Sequence, residues 1–296
     1  MKYISTPLPV SAFKILLAGL LAAIVSASSA QTVLVDDKFD AVTVNGSGTS
    51  QTVTSGDYTY RALANGNLFS GSGSGSLSFH SDGYSAGYIT FSPATLSSIG
   101  DYIEVSFKIT YPSGAGAADR GLRFGLYNIY GDINTALATQ NGVNAVGDTA
   151  KGYYIGTNPG STIASGSQVG KDLGNSVTTS GTAVIGGGQG TSTVGSTFAS
   201  NSFDNSPQEI VLKITKTDTG INISGSIAGS AFSVDNTTNY YDSFDTFIFG
   251  NGLSAGAWRM DDLKITTGSS IPEPSTVAQL IGLGTIMAGV LLRRKK

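Results

Sequence analysis

Residues 101–110 of this chain read Asp-Tyr-Ile-Glu-Val-Ser-Phe-Lys-Ile-Thr. Ile103, Val105, Phe107 and Ile109 occupy every second position, with Tyr102, Glu104, Ser106 and Lys108 between them. Successive side chains alternate sides only along an extended strand, so this spacing buries one face of a sheet and wets the other. Leu122, Phe124 and Leu126 repeat the period. Ile210, Leu212 and Ile214 do so again, and after Asp218-Thr219-Gly220 the pattern returns through Ile221, Ile223 and Ile227, which predicts a hairpin. "FDTFIFG" (244–250) and "AWRMDDLKITT" (257–267) follow. From Gln31 to that point no twelve-residue stretch carries a helical period, apart from a weak "INTALAT" at 133–139. Many short strands joined by Gly-rich turns predict an all-β, two-sheet sandwich.

Two Gly/Ser-rich stretches, Gly66–Phe79 and Gly147–Ser202, have the composition of linkers. Apolar pairs such as Tyr153 with Ile155, and Val184 with Ile185, recur inside the second, so it reads as short strands joined by loops. No repeat of 20 to 50 residues is visible, which argues against a solenoid. The chain has no cysteine, so the sandwich rests on its core alone.

The ends carry a different message. Lys2 and Lys14 precede an apolar Ile15–Val25, and small residues end at Ala30. This is a secretory signal peptide, residues 1–30, cut between Ala30 and Gln31. At the other end stand Pro272, Glu273 and Pro274, then the uncharged Val277–Leu292, then Arg293, Arg294, Lys295 and Lys296. Paired prolines hold their segment extended. The sixteen-residue run is about 24 Å as a helix, a short single membrane span, and the cations after it belong on the cytoplasmic side. Both ends therefore export residues 31–268, the sandwich, and leave 269–296 as a tail.

The tail, with Pro-Glu-Pro, short span and basic end in that order, resembles a PEP-CTERM sorting tail, also labelled an ice-binding protein C-terminal domain. The resemblance covers 26 residues. It implies recognition of Pro272-Glu273-Pro274 by an exosortase-type transpeptidase, after signal peptidase has acted at the N-terminus. It implies passage through the inner membrane, retained by Arg293–Lys296, to the cell surface or extracellular matrix, beside exopolysaccharide and biofilm production.

"VLVDDKFDA" (33–41), "GDYIEVSFKIT" (100–110), "RGLRFGLYN" (120–128) and "AWRMDDLKITTG" (257–268) resemble, in their order, concanavalin-A-like jelly rolls. That likeness implies a jelly-roll sandwich whose first and last strands lie side by side.

Chemistry narrows the function further. Residues 31–270 hold 11 Lys and Arg against 19 Asp and Glu, a formal charge of about −8, which argues against nucleic acid. His80 is the only histidine, without a nucleophile elbow, and reads as a surface or loop-packing residue. One histidine and no cysteine leave no zinc site. "GGGQG" (186–190) lacks the Lys-Ser/Thr of a phosphate loop. Laminarinase-like enzymes of this fold need two placed carboxylates, and the sandwich has only Glu104 and Glu209, each near a strand lysine.

Sugar sites combine aromatic faces with fixed polar groups, and the candidates are Arg123, Tyr127, Tyr153, Tyr154, Tyr240, Tyr241 and Trp258. Strand aromatics also serve cores, and Trp258 shares the phase of Met260. In "AWRMDDLKITT" the apolar phase shifts between Met260 and Leu263, which predicts a β-bulge at Asp261-Asp262. If the terminal strands pair, Asp36, Asp37, Asp261 and Asp262 could converge on a structural calcium; on strands, neighbouring Asp residues otherwise point oppositely into solvent. The leading reading is a non-catalytic exported surface or matrix protein. The alternative is a carbohydrate-binding module, and a third is a divergent polysaccharide-active enzyme.

Overall fold

The structure, a computed structural model, describes residues 31–47, 51–62, 68–70, 75–79, 85–114, 121–129, 150–157, 160, 167–173, 191–198, 203–251 and 256–270. Residues up to Ala30, His80, the Pro272-Glu273-Pro274 motif, the span 277–292 and Arg293 to Lys296 lie outside the described residues. Thr32–Thr267 forms one compact unit. Its sixteen described strands, numbered in chain order, make two antiparallel sheets, and no helix occurs among the described residues.

The seven-stranded sheet orders β1 (Thr32–Asp37), β16 (Trp258–Ser269), β7 (Asp101–Thr110), β12 (Gln208–Lys216), β13 (Ile221–Ile227) and β14 (Ser230–Asn236). The short β5 (Leu77–Phe79) pairs with the start of β16. The nine-stranded sheet runs β11 (Thr191–Phe198), β10 (Ser167–Leu173), β9 (Lys151–Thr157), β8 (Leu122–Asn128), β15 (Ser243–Asn251), β6 (Ser85–Thr95), β4 (Tyr58–Ala62), β3 (Thr52–Ser55) and β2 (Val42–Asn45). The sandwich expected from strand periodicity is the observed fold, and its first and last strands are neighbours: Thr32 faces Thr267 and Asp37 faces Leu263.

Local details follow the sequence. The β12–β13 hairpin sets Ile210 opposite Ile227 and Ile214 opposite Ile223. Its turn closes where the Gly220 N–H donates to the Thr217 hydroxyl at 3.1 Å. In β16 the inward phase passes from Trp258 and Met260 to Leu263 and Ile265, all at most 1% exposed. The residue that makes the shift is Asp262, left-handed at φ 52°. One extra residue in that conformation turns every later side chain to the opposite face, so the strand stays apolar inward along its length.

Rings fill the space between the sheets. Phe107 of one meets Phe124 and Phe247 of the other at centroid distances of 5.3 and 5.6 Å. Each such burial stabilises the fold by roughly 1.5–3 kcal/mol relative to exposure. One buried carboxylate also spans the gap. Asp37 accepts from the Phe39 N–H and the Ser55 hydroxyl, both at 2.8 Å, and from the Tyr60 hydroxyl at 2.7 Å.

Candidate functional site

Strands at the middle of the nine-stranded sheet lack the wet face that β7 has. Gly152 to Thr157 are buried consecutively, as are Ser167 to Asp172. Phe124, Leu126, Tyr153, Ile155 and Val169 account for one side, the core. The other side carries Tyr88, Tyr127, Tyr154 and Ile248, only 1–2% exposed yet outside the core cluster. Around β8, β9 and β10 this sheet is buried on both faces, whereas β2, β3 and β4 keep exposed positions.

Strand register arranges that outer face in rows. One crosses six strands as Arg61, Tyr88, Ile248, Gly125, Tyr154 and Gly170. Beside it run Thr90, Thr246, Tyr127, Gly152 and Asp172, and on its other side Ala86, Gly250, Arg123, Gly156 and Gln168. Glycines lie beneath the rings, although at Gly125 and Gly152 an added Cβ would first meet the neighbouring strand's backbone carbonyl, at 2.3 and 2.2 Å. A Cβ on Gly170 would stand 2.0 Å from Cζ of Tyr154. One on Gly152 would be 2.8 Å from Cδ1 of Tyr127, and one on Gly125 2.9 Å from its Cε2. The Tyr127 ring therefore lies over Gly125 of its own strand and Gly152 of the next.

The polar ends differ. Gln168 donates its amide to the Tyr154 hydroxyl at 3.3 Å. The hydroxyls of Tyr88 and Tyr127 are buried without any hydrogen-bond partner. Leaving such a group unmet costs about 1–3 kcal/mol. Burial pushes the Tyr88 phenol up to about 12, with the Arg61 charge opposing. Burial, and then the charge of Asp172, holds Tyr127 well above its ordinary value, with Arg123 opposing.

The sequence-derived sugar candidates separate into three places. Arg123, Tyr127 and Tyr154 share the outer face. Tyr153 is in the core, its hydroxyl accepting from Asn236 at 2.9 Å and from the Tyr241 N–H at 2.8 Å. Tyr241 lies 5.7 Å from that ring and 4.8 Å from the ammonium of Lys171, while Tyr240 accepts from Lys216 at 3.0 Å. Lys171 donates to the carbonyls of Thr238 and Asn239, and burial lowers its pKa. Trp258 is 1% exposed and stacked on Phe79 at 3.8 Å, so it belongs to the core. Tyr88, Arg61 and Gln168 were absent from the candidates. Their signal is cross-strand, and only the register reveals it.

The four aspartates do not converge. Asp37 turns inward to Ser55 and Tyr60, because its register position faces the core. Asp36 and Asp262 do approach one another, and the cation between them is Lys38, at 3.2 and 3.4 Å. Lys108 adds a 2.5 Å contact to Asp262. That hydrogen bond, with Lys38 contributing, depresses the Asp262 pKa, whereas burial raises that of Asp261. Among the described residues no group of three His, Cys, Asp or Glu is placed to hold a metal. Glu104 pairs across strands with Lys213 at 3.7 Å, and Glu209 faces Lys108, an arrangement of a solvated strand face.

No family model matches the chain, and no curated protein matches it. Among solved structures the chain is similar to the carbohydrate recognition domain of Emp47p, at 12% identity and TM-score 0.40 over 72% of this chain and 89% of that one. It is similar to the VIP36 exoplasmic/lumenal domain in a Ca2+/Man-bound form, at 8% identity and TM-score 0.43 over 73% and 85%. Peanut lectin gives 13% identity and TM-score 0.43 over 73% and 94%. The likeness concerns the fold alone.

Proposed function

We propose that this chain is an exported, non-catalytic surface protein whose sandwich binds glycan on the outer face of the nine-stranded sheet. The observation that carries the reading is the pair of buried, unpartnered hydroxyls on Tyr88 and Tyr127, set where rings, a guanidinium and an amide also gather. Each sugar unit offers an apolar ring face to tyrosine and hydroxyls that donate and accept, so successive units of a glycan would satisfy the two phenols. Both phenol oxygens are shielded from solvent, so binding involves local opening at that face, with the exposed Arg61 outermost. Export and sorting rest on the sequence of the ends. Ala30–Gln31 marks the signal cleavage, Pro272-Glu273-Pro274 the exosortase recognition, and Arg293–Lys296 retention at the inner membrane.

The test is a glycan array probed with the full chain in a mild detergent, alongside Tyr88→Phe and Tyr127→Phe. At least one glycan should be retained, and each variant should weaken it about fivefold, as expected for a hydrogen bond near 1 kcal/mol. Neither variant should lose melting temperature, since each deletes an unmet buried hydroxyl. An array on which nothing binds removes glycan recognition and leaves an exported scaffold.

A further inference from the structure

The open part of the outer face lies on β2, β3 and β4. Thr43, Asn45, Thr54, Thr59 and Arg61 are exposed there and Thr52 is half-buried. Val42, Val53, Ser55, Tyr60 and Ala62 alternate with them and are buried. The outward side chains stand in two rows. Thr43, Thr54 and Thr59 face one another across three strands. Asn45, Thr52 and Arg61 do the same, and Arg61 stands opposite Tyr88 on β6. This second row then continues through Ile248, Tyr154 and Gly170 to Thr193 on β11, so it crosses all nine strands. It is open at the β2 end and closes between the exposed Arg61 and the buried Tyr88.

The wet face of the other sheet is built differently. There Lys108 meets Asp262, Lys213 meets Glu104, and Asn222 donates to Ser233 and Asp235. The shelf on β2, β3 and β4 instead presents hydroxyls, methyls, an amide and a single charge. Threonine favours strands whatever their role. Here, however, the threonine shelf leads to the buried Tyr88 hydroxyl, which has no hydrogen-bond partner. Neighbouring strands are about 4.8 Å apart, so each row offers its polar groups at one constant interval. An extended β-linked hexose chain advances by nearly the same step per unit, and its hydroxyls donate and accept as those of threonine do. An α-linked chain of the same sugar turns at each linkage and loses step with the row. We propose that this shelf docks an uncharged, unbranched, β-linked glycan, which lies across the strands and leads to Tyr88. This rests on the reading that the face binds glycan, and names the ligand class. Asn45 to Tyr88 crosses three strand gaps. That is roughly 14 Å, bridged by about four sugar units.

Calorimetry of the full chain in a non-sugar detergent tests it, using β-1,4-linked glucose oligomers of two to six units and α-1,4-linked oligomers of the same lengths. Affinity for the β-linked series should rise about tenfold from two units to five and then level off. The five-unit α-linked chain should bind about tenfold more weakly than its β-linked counterpart. Thr54→Val and Thr59→Val keep the side-chain shape and strand preference, and each should weaken the five-unit β-linked chain about threefold. Thr215→Val, on the wet face of the other sheet, should leave that affinity unchanged. Equal affinity at every length, or for both linkages, overturns the extended β-linked ligand and leaves glycan recognition standing. So does failure of both series while the array retains another glycan. Full affinity in both valine variants overturns the shelf as the docking position. Failure of both series and of the whole array sinks the earlier reading as well.

Discussion

The Tyr60 hydroxyl donates to the Asp37 carboxylate at 2.7 Å, and the bond runs from β4 of one sheet to β1 of the other. Ser55 donates to the same carboxylate from β3. Asp37→Ala would leave both buried hydroxyls without their acceptor, and should cost about 3 kcal/mol. Tyr60→Phe removes one donor of several and should cost about 1–2 kcal/mol. Urea midpoints of the sandwich measure both. Midpoints equal to the natural sequence would mean the sheets are joined without this bond.

High pH should unfold the protein through its tyrosines. Burial is the largest cause holding Tyr60, Tyr88, Tyr111, Tyr127 and Tyr153 above the ordinary phenol value of 10.0. The folded state therefore keeps protons that the unfolded chain releases above that value. Stability should be whole below pH 10.0 and fall as pH rises toward the folded values, about 12 for Tyr88. Each phenol contributes a slope of up to about 1.4 kcal/mol per pH unit. Phenolate absorbance should appear together with loss of strand signal. Free titration of these tyrosines near pH 10.0 in a still-folded protein would contradict the burial described.

Gly170 should be intolerant of even one methyl group, and for a single reason. Its Cβ would overlap the Tyr154 ring, so Gly170→Ala should cost about 1–3 kcal/mol. In a Tyr154→Ala background the same change should cost little. A double-mutant cycle reads the coupling directly. Equal cost in both backgrounds would place the strain in the backbone.

Replacing Pro272-Glu273-Pro274 by three alanines should spare insertion, because the apolar run and its basic end are untouched. The chain should then accumulate as an unprocessed membrane precursor in a host with an exosortase. One tag in the sandwich and one at the C-terminus follow it through fractionation. Efficient loss of the C-terminal tag from the alanine variant would make the tail a plain anchor.

The alternation of β7 was legible because one side of that strand is wet, and the re-phasing at Asp262 was legible as a slip in the same period. The outer face of the nine-stranded sheet was not. β9 and β10, "KGYYIGT" and "SQVGKDL", bury both sides, so no alternation marks which residues share a face. Tyr154 and Gly170 become partners only through the pairing of two strands, as do Tyr88 and Arg61. Arg123, Tyr127 and Tyr154 could be picked by residue type. The same criterion also picked Trp258, whose ring the core needs. The Asp pairs suggested four carboxylates around a calcium, whereas the structure brings Asp36 and Asp262 to Lys38, next to one pair in sequence, and turns Asp37 inward.

Thr32 facing Thr267 decides how the sandwich would bear a load. The chain enters and leaves at one end of an antiparallel ladder. Tension between residues 31 and 268 would peel β1 from β16 one hydrogen bond at a time, the weakest way to stress a pair of strands. Tension along β16 from its C-terminal end, against resistance elsewhere in the unit, would instead shear its ladders to β1 and β7 together. A tether at residue 268 alone would thus withstand far more drag than a pull on both ends, which single-molecule stretching from the two attachment geometries would distinguish.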